Sequence, residues 1–233
     1  MNLYQRFFDA AKLDLEAAKV LKDKQLYQPS LYHLQQAYEK CIKSYYILKE
    51  VELKNTPETT AYKNVVAFKH ETEKSTIALV KDTATLQQDE YKDKLPYLTD
   101  QQQIEAVKKI IAVIDNYKSS LDKYVQRLDV SKNYVNNILH YSNSTTAVYK
   151  NYQNSKRIIN NVIIKQPDNR FLYIFSSMTN VYLVLYKMEL ITRYPLEEFS
   201  YKNLDMLANQ HDACEKIIEM LDELFNLVSG DLK

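Results

Sequence analysis

Glycine is all but missing from this chain of 233 residues, and the one glycine is Gly230. Tight hairpin turns and bulges need residues at positive φ, which glycine supplies without steric cost. A chain with no glycine before residue 230 is therefore not a hairpin-rich β protein. The same lack removes the P-loop and the dinucleotide fingerprint, both of which require glycines where backbone meets phosphate. An excess of one charge sign is missing too: 31 basic residues face 30 acidic ones. That balance argues against a binder working on net charge alone and leaves a local basic groove open. Tryptophan is absent and cysteine is limited to Cys41 and Cys214. Both lie inside helical patterns, which reads as two small buried thiols in a reducing cytoplasm. There is no long apolar run. The uncharged stretch from Phe171 to Tyr186 holds Ser176, Ser177, Thr179 and Asn180, and reads as a buried core helix, not a bilayer span. The start, Met1-Asn2-Leu3-Tyr4-Gln5-Arg6, has no signal-peptide apolar core.

What is present is helical periodicity. Residues 2–24 carry Leu3, Phe7, Ala10, Asp14, Ala17 and Leu21 at spacings of three and four, with Asp14 breaking the stripe and Leu13 and Leu15 able to compensate. Pro29 suits the first turn of a second helix whose buried face is Leu31, Leu34, Tyr38, Cys41, Tyr45 and Leu48, and Asn55-Thr56-Pro57 ends it. Short helices are expected at 58–68 and 71–88, then a polar connection around Pro96. Thr99 to Gln102 is a capping box opening a helix of about 30 residues, and a second helical pattern follows to Val162. The two read as an antiparallel hairpin over 90–166, inserted in a single domain of 1–233. Phe171, Ile174, Met178, Val181, Leu185 and Met188 mark the next helix. Ser200 caps a last one facing inward with Leu204, Leu207, Cys214, Ile217, Leu221, Leu224 and Val228. The expected fold class is all-α, an up-and-down helical bundle.

Two stretches resemble a known family. The run Gln35-Gln36-Ala37-x-Glu39-Lys40-x-x-Lys43, preceded by Asp14-Leu15-Glu16-Ala17-Ala18 and Tyr27, resembles the first two helices of the HEPN (higher eukaryotes and prokaryotes nucleotide-binding) family. Arg193-Tyr194-Pro195 before a long amphipathic helix resembles the family's closing segment, and His70-Glu71 loosely resembles a histidine-containing turn. The resemblance covers about 1–80 and 168–230, and leaves the hairpin at 90–166 as an insertion.

The resemblance implies a bundle that dimerises and that either cuts RNA without metal or binds RNA or a nucleotide without cutting. It further implies a toxin–antitoxin or defence setting, with a nucleotidyltransferase as one protein partner. The family's RNases carry an arginine, four to six residues, then a histidine. None of Arg6, Arg127, Arg157, Arg170 and Arg193 has a histidine at that distance: His140 lies 13 residues after Arg127, and His211 lies 18 after Arg193. The expectation is a non-catalytic RNA or nucleotide binder, with no cofactor and no metal, since His33, His70, His140 and His211 lack ligand spacing. Its ligand-binding candidates are Arg193, Tyr194, Lys40, Lys43 and His70. Arg193 and Tyr194 would grip a phosphate and stack a base, or simply end a helix against its dipole. Lys40 and Lys43 would line a phosphate groove or a solvated face. Gln35, Gln36 and Glu39 read as polar contacts between helices. Two alternatives remain: a protein–protein adaptor working through the hairpin, and a divergent RNase whose arginine and histidine come from separate helices.

Overall fold

A computed structural model of the chain describes residues 2–67, 149–150, 152–154, 170–185 and 204–231. The described residues form helices only, with no strand, and the fold is an all-α bundle. In chain order they give α1 (Leu3–Asp23), α2 (Tyr27–Lys54), α3 (Glu58–Ala67), α4 (Arg170–Leu185) and α5 (Leu204–Asp231). The expected helices at 71–88 and in the hairpin, and the cap at Ser200, fall outside the described residues apart from helical residues 149–150 and 152–154.

The centre of the bundle is α2. Leu31, Leu34, Tyr38, Cys41, Tyr45 and Leu48, the face read from the sequence, are all buried. They meet Ile174, Met178, Val181 and Leu185 of α4 and Cys214, Ile217, Leu221, Leu224 and Val228 of α5 in one core. Tyr38 Oη donates to the Met178 carbonyl at 2.9 Å, so a buried phenol keeps its hydrogen bond across that seam. Both cysteines are free and buried. Burial pushes their thiols up, Cys214 to about 12, so neither is a nucleophile at neutral pH.

On α1 the inward column differs from the expected one. Phe8, Ala11, Leu15 and Ala18 are buried, while Leu3, Phe7, Ala10, Asp14, Ala17 and Leu21 form its half-buried edge. The column is turned by one residue because two apolar stripes lie side by side on this helix. Both stripes hold two alanines; the buried one has Leu15 where the other has Asp14, so it is the wholly apolar stripe that faces the core. Leu13 is 73% exposed and does not stand in for Asp14. Two serines tie α1 to α2: Ser30 Oγ donates to the Ala18 carbonyl at 2.8 Å, and Ser44 Oγ to the Tyr4 carbonyl at 2.7 Å.

Helix α2 begins at Tyr27, two residues ahead of Pro29, which is no conflict because the first four N–H groups of a helix have no intrahelical acceptor. Asn2 makes no side-chain cap for α1; Glu58 of α3 does the work instead, accepting the Leu3 N–H at 2.5 Å. Far along the chain, Tyr149 and Tyr152 donate to Glu219 and Glu223 of α5, tying these two tyrosines to that helix. Burial and the facing Glu219 push the Tyr149 phenol up to about 12.

The shortage of glycine shows at the helix ends. Gln25 closes α1 at φ 60°, with its own N–H on the Lys22 carbonyl and the Leu26 N–H on the Leu21 carbonyl. That is the Schellman pattern, whose left-handed position glycine normally fills. Asn55, the best non-glycine substitute, ends α2 at φ 51°. Gln25→Gly is therefore expected to stabilise the protein by about 1 kcal/mol, the steric cost of a Cβ in the left-handed region. Thermal unfolding followed by circular dichroism reads this directly, and an unchanged or lower midpoint contradicts it.

Candidate functional site

Asp14 sits on the half-buried edge of α1 with its side chain 12% exposed, and a carboxylate there needs partners. It finds two on α2. His33 Nδ1 lies 2.9 Å from Asp14 Oδ1, and Lys40 Nζ pairs with Oδ2. Residues 33, 36 and 40 are three and four apart, so they share one face of the helix. Seven residues span roughly 10 Å of axis, yet a single carboxylate brings both side-chain heads together. Gln36 lies between them on that face, and its Nε2 is buried with no hydrogen-bond partner among the described residues.

An ionised carboxylate only accepts hydrogen bonds, so Nδ1 of His33 carries the proton it donates to Asp14. In the neutral ring, Nε2 then holds a lone pair and accepts. Tyr32 meets the imidazole edge-on with ring centroids 5.5 Å apart. Next to this group, Lys43 Nζ pairs with Glu39 Oε1 at 2.6 Å, and both residues are buried. The face therefore offers an acceptor nitrogen, a buried amide donor and two ammonium groups, each ammonium already beside an acid. Among the described residues no three histidine, cysteine or acidic side chains are placed to hold a metal ion, and no helix is long and apolar enough to cross a membrane.

Of the residues singled out from sequence, Lys40 and Lys43 lie here. Arg193, Tyr194 and His70 lie outside the described residues. Asp14 and His33 are added by the structure. Their signals were a carboxylate inside an apolar stripe, and a histidine and lysine seven apart on the facing helix.

Residues 4–119 match the family model described as HEPN domain. The chain belongs to the HEPN family. The match takes in α1, α2 and α3 and with them the whole Asp14–His33–Lys40 group, and it runs past residue 90, where the inserted hairpin was expected to begin. Helices α4 and α5 lie beyond it. No curated protein and no solved structure matches the chain. HEPN domains are associated with nucleotide- and RNA-related functions.

Proposed function

We propose that this HEPN chain binds RNA or a nucleotide without cutting it, through the polar face of α2 and the Asp14 edge of α1. The observation that carries the reading is the pairing of His33 and Lys40 with Asp14, inside the stretch that matches the family. Phosphate recognition needs cations and N–H donors held in place, and those held by their own packing lose less entropy on binding. Arg193 and Tyr194 remain proposed contacts, as does His70. Because Lys40 and Lys43 each have an acid beside them, their contribution is directional donation more than net charge. The absence of the arginine–histidine spacing supports binding over cleavage. Homodimerisation, a cytoplasmic, toxin–antitoxin or defence setting, and a nucleotidyltransferase partner belong to the same reading.

Titrating a labelled short RNA with the protein at several salt concentrations, followed by a gel of the RNA, tests this. Binding that weakens as salt rises, with intact RNA, is the expected result. Cut RNA would move the assignment to a divergent RNase. No binding at low salt would remove it and favour the adaptor reading. In favour of a protein partner, Leu13 and Val20 are exposed seven residues apart on one face of α1. That is apolar surface on the bundle itself, not on the hairpin where an adaptor surface was expected.

A further inference from the structure

We propose that the Asp14–His33–Lys40 group is a ribose-phosphate subsite that distinguishes RNA from DNA. His33 Nε2 accepts the hydrogen bond of a ribose 2′-hydroxyl, while the Lys40 ammonium donates to the neighbouring phosphate. This rests on the nucleic-acid reading above and adds to it a sugar specificity and the atoms that read it.

The argument is one of matched donors and acceptors. A 2′-hydroxyl lies beside a phosphate and is both donor and acceptor, and it is the group by which a protein tells RNA from DNA at a site. Phosphate oxygens only accept. A subsite for the pair needs one acceptor close to two or more donors. On this face the acceptor is Nε2 of the neutral His33 ring, because Nδ1 donates to Asp14 Oδ1 at 2.9 Å and that tautomer leaves the lone pair on Nε2. The donors are the N–H bonds of the Lys40 ammonium, which keeps two beyond the one given to Asp14. His33 and Lys40 are each 33% exposed, so a ligand has access to both. Asp14 is the positioning residue: it meets no ligand but sets the ring's orientation and the place of the ammonium.

Three labelled oligonucleotides of one sequence serve as probes: RNA, DNA and RNA with 2′-O-methyl groups, which removes the hydroxyl donor while keeping ribose. The wild-type chain is expected to bind RNA about tenfold tighter than either of the others, the factor that about 1.4 kcal/mol represents. His33→Phe, which keeps a ring but no nitrogen, is expected to abolish the preference, bringing the RNA-to-DNA affinity ratio from about ten to about one. Equal binding of all three probes by the wild type overturns the sugar-reading role while leaving the nucleic-acid reading standing. Binding of none overturns both. A variant that keeps the RNA preference, or loses RNA and DNA binding in equal measure, also overturns the role of His33. The wild-type comparison of probes decides the question even where the variant does not fold.

Discussion

Glu39→Gln is expected to destabilise the protein by about 3 kcal/mol, the low end of the cost of breaking a buried ion pair from one side. Glu39 Oε1 meets Lys43 Nζ at 2.6 Å, one turn apart on α2, with side chains only 5% and 11% exposed. Taking either charge out of water costs several kcal/mol, and the facing opposite charge offsets most of it. Removing the carboxylate charge leaves the ammonium in the same poorly hydrated place with weaker compensation. Replacing both residues, Glu39→Leu with Lys43→Leu, is expected to cost far less than the single change, because no charge then remains to be desolvated. Urea denaturation of the two variants beside the wild type separates these outcomes. A single-variant loss under 1 kcal/mol, as for an exposed pair, would show that water reaches the seam. The same measurement bears on function: if the double variant is stable and still binds RNA, the Glu39–Lys43 pair is structural and Lys40 stands alone as the lysine of the site.

The bundle was legible in the sequence because its helices announce themselves by period and by end signals. All six positions read for the α2 face are buried, and Ala37, Ile42, Tyr46 and Ile47 beside them are buried as well, because this central helix is packed on more than one side. The α1 face was read one residue off, since Phe7 and Phe8, Ala10 and Ala11, and Ala17 and Ala18 are adjacent apolar pairs that serve two stripes equally well. Only the approach of α2 and α5 chooses between them. That choice also decides the site. With Phe8, Ala11, Leu15 and Ala18 inward, Asp14 comes to the edge of α1 facing α2, where His33 and Lys40 can reach it. A pairing between residues 14 and 33 or 40 is tertiary, and no local pattern encodes it. The lysines were visible through the family's second-helix motif and Asp14 through its first-helix motif; the ion pair that joins Asp14 to Lys40 was not.

Phe225→Ala is expected to cost about 3–5 kcal/mol, the range for truncating a large buried aromatic. Phe225 of α5 stacks on Phe8 of α1 with ring centroids 5.3 Å apart and planes inclined by 28°. Lys12 Nζ lies over the Phe8 ring at 4.5 Å, so that ring has one face on a cation and belongs to the α1 edge as well as to the core. The family match ends at residue 119, well before α5, yet α1 has its aromatic partner in α5. Loss of the ring removes its transfer free energy and leaves a cavity where α1, α2 and α5 meet, and close packing there limits relaxation. At roughly 2–4 °C per kcal/mol for a chain of this size, the thermal midpoint should fall by about 10 °C. A fall of that size means that residues beyond the family match are part of one cooperative unit with the α1–α2 face. A variant with an unchanged midpoint would mean that α5 packs loosely on α1. In that case the shifted α1 column, and the Asp14 position that follows from it, would lose their packing support.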